Sequence, residues 1–291
     1  MVGPLDGMSE GPAGLTSPSN PRVKAVVRLR DRAERERTGQ TIVDGARELT
    51  RAIGGGVQLV EVFVCEPLAI GEEARATLDA LAAAGSGWTQ VSEIVLEKLA
   101  FGNRVDGIVA VVRPGSLSLG DLVLPPDPLV AVVEGVEKPG NLGAIVRSAD
   151  GAGLDAVVAA DARTDVFNPN AIRASLGTIF ALPVVAAGTT DAIAWLRERG
   201  LRIVTTRVDA TTDYGDADLT GPVAIVLGSE AGGLTAAWSG PGAGIRAVRL
   251  PMRGSGDSLN VSATAAVLFY EAVRQRRRAT AGSRQPHKGA P

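Results

Sequence analysis

Residues 129–147 read LVAVVEGVEKPGNLGAIVR, and this stretch decides the fold class. The apolar run Leu129 to Val133 suits a strand covered on both faces, and after a turn rich in Gly and Pro the pattern becomes helical from Asn141 to Asp150. The same alternation continues downstream. Strands are expected at 156–160, 203–207, 223–227 and 247–250, and helices at 169–176, 192–199 and 259–277. Such a series predicts an α/β domain built on a parallel sheet with helices on both faces, whose ligands lie beyond the carboxyl ends of the strands.

Upstream, the pattern describes a smaller unit. Residues 1–20, rich in Gly, Pro and Ser, are expected to form a flexible leader outside the fold. Asn20-Pro21 opens a helical stretch in which Val23, Val26, Val27 and Ala33 share one face while Arg28, Arg32 and Arg35 share another. Strands at 41–43, 59–64 and 108–112, with helices at 46–53 and 72–84, complete a small α/β domain over 21–113. Residues 114–128, which include Pro114, Pro125, Pro126 and Pro128, are expected to be a linker. The second domain then spans 129–279, and 280–291 form a flexible tail.

Composition narrows the function classes. Apolar residues make up 45% and charged residues 21%, a globular rather than a disordered make-up. No apolar run is long enough to cross a membrane, and no signal-peptide pattern opens the chain. One cysteine, Cys65, and one histidine, His287, exclude disulfide frameworks, Cys/His zinc sites and a histidine base. No dense carboxylate cluster suggests a metal, and the chemistry fits a reducing, cytoplasmic compartment. Cys65 itself reads as a small hydrophobe at a strand end.

The net charge of −2 conceals two basic ends. Arg22, Lys24, Arg28, Arg30, Arg32, Arg35 and Arg37 face only Asp31, Glu34 and Glu36, and after Glu271 come Arg274, Arg276, Arg277, Arg278, Arg284 and Lys288 with no acid. A polyanion gripped locally would suit this distribution. Pairs within one helix, Arg30 with Glu34 and Asp31 with Arg35, would equally account for the first cluster.

Three turns after strands are unusual. In Glu134 to Arg147, Asn141 is placed as a helix N-cap, Gly143 permits close approach to the first turn, and Arg147 lies near enough to two turns along for both to face one ligand. A cap plus a solvated arginine is the simpler alternative. In Gly228-Ser229-Glu230-Ala231-Gly232-Gly233, three glycines around one carboxylate suggest backbone close to a ligand, with Glu230 beside a helix N-terminus; a tight turn would look the same. The third, Leu250-Pro251-Met252 through Ser258-Leu259-Asn260-Val261-Ser262, leads into a helix of small residues, with Asp257 or Ser258 available as an ordinary cap. Gly151-Ala152-Gly153-Leu154-Asp155-Ala156 matches a dinucleotide-binding pattern, but it follows a helix and precedes a strand, which disfavours a nucleotide-binding oxidoreductase.

Taken together, N-x-G-x-x-x-R at Asn141 to Arg147, L-G-S-E-x-x-G at Leu227 to Gly233 and L-P-M-x(5)-S-L-N-V-S at Leu250 to Ser262 resemble the three motifs of the SpoU/TrmH family of RNA ribose 2′-O-methyltransferases. The resemblance covers roughly Leu129 to Arg277. The N-terminal half is similar to the family's L30e-like substrate-binding domain, from its Asn-Pro-Arg-Val-Lys opening onward. The resemblance implies a deep trefoil knot, an obligate homodimer with a site shared across the interface, and S-adenosylmethionine as cofactor. By position it implies cofactor contacts at Thr205, Thr206, Leu227, Gly228, Leu250, Met252, Leu259 and Asn260, and functional roles for Arg147, Asn141, Glu230, Ser258 and Asn260. RNA contacts would fall to Arg22, Lys24, Arg28, Arg32 and Arg35. The substrate it implies is 23S ribosomal RNA, with transfer RNA, or a non-catalytic role in RNA binding or ribosome assembly, as the alternatives.

Overall fold

The computed structural model describes residues 14–101, 106–239 and 244–283. The chain forms two compact units that divide after Gly115. Most of the expected leader, and the tail residues Arg284, His287 and Lys288, lie outside the described residues.

In the first unit, α1 (Pro21–Arg28), α2 (Arg32–Thr38), β1 (Thr41–Asp44), α3 (Ala46–Gly54), β2 (Gln58–Val64), α4 (Glu72–Ala83), β3 (Thr89–Gln90), α5 (Glu93–Leu99) and β4 (Ile108–Arg113) follow in order. The sheet runs β1-β4-β2-β3, with β4 antiparallel to both neighbours and β3 parallel to β2. Val23, Val26, Leu29, Ile42, Phe63 and Val95 belong to its core. Cys65 sits in the same core as a buried hydrophobe, and burial pushes its thiol pKa upward.

The leader is shorter than composition suggests. The backbone of Leu15 donates to Gln90 and accepts from Ser92, and its side chain packs on the core. The Asn20 side chain caps α1 by accepting from the Arg22 amide. The single helix expected after Pro21 is two. Residues 29–31 break it, because Leu29 turns inward and the buried Arg35 guanidinium donates to the carbonyls of Leu29 and Arg30 (2.8 and 2.7 Å). Arg28, Arg32 and Arg35 therefore share no face, and Ala33 is exposed.

The second unit runs β5 (Leu129–Glu134), α6 (Pro139–Ala152), β6 (Ala156–Ala160), α7 (Pro169–Ala174), β7 (Val184–Ala187), α8 (Thr189–Glu198), β8 (Arg202–Thr206), β9 (Thr212–Asp213), β10 (Val223–Leu227), β11 (Ile245–Arg249) and α9 (Val261–Ser283). Its seven strands are all parallel, in the order β7-β6-β5-β10-β8-β11-β9. Val130, Val132, Val158 and Val226 on one face pack with Trp195 and Leu196 of α8. The alternate residues point to the other face, where α6, α7 and α9 pack together. Residues 116–128, expected as a linker, belong to this unit: Leu122 is buried in its core, with Leu119 and Leu124 packed against it.

Candidate functional site

Because β5, β8, β10 and β11 are parallel, their carboxyl ends share one edge, and the turns leaving them surround a cavity of about 990 Å³. Thr206, Leu227, Gly228, Leu250, Met252, Leu259 and Asn260 line it, as the motif positions imply. Thr205 does not. The pleat of β8 turns successive side chains to opposite faces, so Thr205 borders a separate cavity of about 580 Å³ with Trp238 and Ser239. Its hydroxyl donates to the Arg246 carbonyl, while that of Thr206 donates to the Val226 carbonyl.

The three turns meet on Glu230. Asn141 Nδ2 and Asn260 Nδ2 both donate to its Oε1, at 2.7 and 2.6 Å, and Lys138 Nζ stands 2.8 Å from its Oε2. The bonded ammonium of Lys138, aided by Asn141, holds the Glu230 carboxyl below the usual carboxylate range against the opposing pull of partial burial. The carboxylate in turn raises the pKa of Lys138. Asn260 Oδ1 accepts from the Ser262 amide (2.9 Å) and hydroxyl (2.6 Å), so Asn260 caps α9, the role foreseen for Asp257 or Ser258. Ser258 lines the cavity but stands outside this hydrogen-bonded junction.

Other local expectations change. Asn141 is not an N-cap. α6 begins at Pro139 with Lys138 as its cap residue, which places Asn141 in the first turn with its side chain free to reach Glu230. Gly143 serves helix packing rather than a ligand: a Cβ there would stand 2.3 Å from the Ala171 carbonyl oxygen and 2.9 Å from the Ser175 nitrogen. Gly228 makes room for its own loop, since its Cβ would strike the Gly233 backbone at 2.3 Å, where Ser229 and Gly233 exchange backbone hydrogen bonds. Glu230 stands beside two helix starts, that of α6 through Asn141 and that of α9 through its cap Asn260.

Arg147 is exposed on α6, lines neither this cavity nor the smaller chamber beside it, and has no polar partner among the described residues. Helical geometry explains the separation. Six residues carry the chain about 600° around the axis, so Arg147 points about 120° away from Asn141.

Two residues of the site carried no assigned role in the sequence. Lys138 carried a signal, a cation just ahead of a proline-started helix where only a carboxylate partner makes the placement favourable. Glu134 is 3% exposed at the end of β5, where its carboxylate accepts from the Thr189 hydroxyl and from the amide and hydroxyl of Thr235. It ties the far end of the Gly-rich loop to the sheet. A charge closing a fully apolar strand was its only trace in the sequence.

The basic segment is largely self-paired. Arg22 bonds Glu61 and Thr89, Arg28 lies 3.7 Å from Glu34, Arg37 grips Glu34, and Arg32 bonds Glu36 at 2.7 Å. Arg30 donates to the carbonyls of Lys98 and Ala100 and lies over the Phe101 ring. Lys24 is exposed, whereas Arg35 is buried and cannot meet a polyanion without unfolding its turn. Among the described residues, no cluster of three His, Cys, Asp or Glu could hold a metal, and no helix is long and apolar enough to cross a membrane.

The SpoU rRNA Methylase family matches residues 128–270, and the MRM3-like substrate binding domain matches residues 20–110. The chain is similar to an RNA 2′-O ribose methyltransferase of known crystal structure, with 40% identity and a TM-score of 0.80 over 90% of this chain and 98% of that one. It is 30% identical over 254 residues to the 23S rRNA (uridine(2479)-2′-O)-methyltransferase of Streptomyces viridochromogenes, covering 85% of this chain and 87% of the relative. The SpoU methyltransferase AviRb from Streptomyces viridochromogenes, solved in complex with the cofactor AdoMet, is 28% identical with a TM-score of 0.76, over 88% and 98% of the two chains.

Proposed function

The chain belongs to the SpoU family of RNA methyltransferases, and on that premise we propose that it methylates a ribose 2′-hydroxyl of 23S ribosomal RNA, with S-adenosylmethionine as donor, as a homodimer. The observation that carries this reading is the junction at Glu230, where three separate strand-end turns are bound together beside one cavity. The named target of the Streptomyces viridochromogenes relative and the match of residues 20–110 to a substrate-binding domain support the ribosomal substrate.

The cavity fits the cofactor's chemistry. Val208, Met252 and Leu259 are exposed apolar side chains gathered on its wall, an arrangement that suits the flat, partly apolar adenine ring of the cofactor. Arg207 and Asp209 add polar partners there. When bound, S-adenosylmethionine supplies an electrophilic methyl group that a ribose oxygen attacks from the side opposite sulfur. Leu227, Gly228, Leu250 and Met252 would shape the pocket, with Thr206 at its floor and Leu259 and Asn260 closing it. The Glu230 junction keeps the first and third turns in register, so that positioning supplies much of the rate.

A ribose hydroxyl needs its developing charge stabilised, and in this reading that is the role of the Arg147 guanidinium. Its place on the exposed side of α6 suits a homodimer in which the arginine of one copy serves the cavity of the other. The knot belongs to the same reading: residues 250–283 would thread beneath the loops that follow β8 and β10. Alkaline hydrolysis of the product RNA tests the position of transfer. A 2′-O-methyl group leaves the adjacent phosphodiester intact, whereas methylation of a base leaves the ladder unbroken.

A further inference from the structure

Lys138 stands where helix electrostatics oppose it. It immediately precedes Pro139, the first residue of α6, at the end where unpaired N–H groups make the helix positive. Packing does not account for the placement, since its side chain is 71% exposed. Glu230 does. Lys138 holds Oε2 of that carboxylate, while Oε1 takes the amides of Asn141 and Asn260. Lys138 and Glu230 both line the large cavity and an adjoining chamber of about 240 Å³ that Asn141 and Val133 also border. The ion pair is thus part of the wall between two spaces.

We propose that Lys138 is a positioning residue for methyl transfer: its ammonium fixes the orientation and charge of Glu230, and through Glu230 it holds Asn141 and Asn260 against the cavity. The proposal rests on the methyltransferase reading and adds to it a residue outside all three motifs.

Asn260 Oδ1 is committed to Ser262, so its Nδ2 must face Glu230. An amide from α6 meets the same oxygen, and only an ionised carboxylate accepts every donor aimed at it. A protonated Glu230 would turn an O–H toward another donor, and the junction would open. Lys138 opposes that protonation. Without it, partial burial pushes the carboxyl upward against the smaller opposing pull of the Asn141 hydrogen bond. The other charged groups around the cavity are Glu137 on the same turn, which acts on Lys138; Asp257 of the third turn; Arg249 at the end of β11, which pairs with Asp213; and Arg207 with Asp209 after β8, which pair with each other. Among the described residues, Lys138 alone forms an ion pair with Glu230.

The test compares full-length wild type, Lys138→Met and Lys138→Arg in methyl transfer to RNA between about pH 3.5 and 9, with kcat and KM measured separately. Lys138→Met should lower kcat about tenfold, leave KM for S-adenosylmethionine within about twofold, and move the acidic limb of the rate profile upward by about one pH unit. Lys138→Arg should restore both. An active wild type with an unmoved acidic limb in Lys138→Met would overturn the proposal alone, as would a melting temperature lowered in parallel with a rate loss that Lys138→Arg fails to rescue. A wild type that transfers no methyl group to any RNA would overturn the methyltransferase reading, and this proposal with it.

Discussion

Asn141 and Asn260 lie 119 positions apart in the chain, yet both donate their side-chain amides to one oxygen of Glu230. One asparagine sits in the first turn of α6 and the other caps α9, so a single carboxylate fixes two helix starts to the turn after β10. Replacing it with an amide leaves Lys138 without its counter-ion and sets N–H against N–H. Glu230→Gln should lower kcat for methyl transfer by about 10- to 100-fold while the protein remains folded. Single-turnover kinetics beside a thermal melt checks this; undiminished turnover would show that the junction is not needed.

At Gly143 two effects compete. Alanine gains about 1 kcal/mol over glycine in a helix interior. Its Cβ, however, would meet the backbone of α7 at the Ala171 carbonyl, a contact of 2.3 Å that no side-chain rotation relieves. Overpacking of this kind costs about 1–3 kcal/mol, and the contact with immovable backbone places Gly143→Ala toward its upper end. Denaturant titration should show a net loss of about 1–2 kcal/mol at an unchanged slope.

The arginines of the first unit should separate into two kinds. Arg35→Ala removes the donor from two carbonyls in a buried turn and should cost about 2–4 kcal/mol, seen as a lowered melting temperature. Lys24, Arg28 and Arg32 are exposed. Replacing these three together should leave the melting temperature nearly unchanged and flatten the salt dependence of RNA binding. Loss of S-adenosylmethionine binding in that triple variant would contradict the assignment of RNA contacts to the first unit.

Acid should weaken the second unit partly through Asp218. The Arg202 guanidinium bonded to it, together with the hydroxyl and amide of Thr220, holds this carboxyl well below the usual range. A pKa lowered in the folded state contributes stability that is present above the unfolded value, near pH 4, and is lost as pH falls toward the folded one. Asp218→Asn should therefore reduce stability at pH 7 and shrink its decline below about pH 4. Parallel acid limbs in the two proteins would contradict the assignment.

Strands buried on both faces, such as β5, β6 and β10, announce themselves as unbroken apolar runs, so the second unit's parallel sheet was readable from their alternation with helical patterns. β3 and β9 span two residues each and α5 only seven, too short for any period to show. Strand ends and glycines marked the three turns, and the resemblance to the family's motifs supplied the positions within them, from Leu227 to Asn260, that line the cavity. What the pattern could not show was direction. It put Arg147 beside Asn141 although the helix turns it away, and gathered three arginines on a face that a helix break removes, while the family resemblance placed together Thr205 and Thr206, which the pleat parts. Lys138 and Glu134 stayed unread because a charge gains its meaning from a partner far along the chain.

The most direct test of the account is transfer of a labelled methyl group from S-adenosylmethionine to purified 23S, 16S and transfer RNA by wild type and by Arg147→Ala. Label should enter 23S RNA alone, at an alkali-resistant position, and disappear in Arg147→Ala. Label confined to transfer RNA, label in an alkali-sensitive ladder, or full turnover by Arg147→Ala would contradict it.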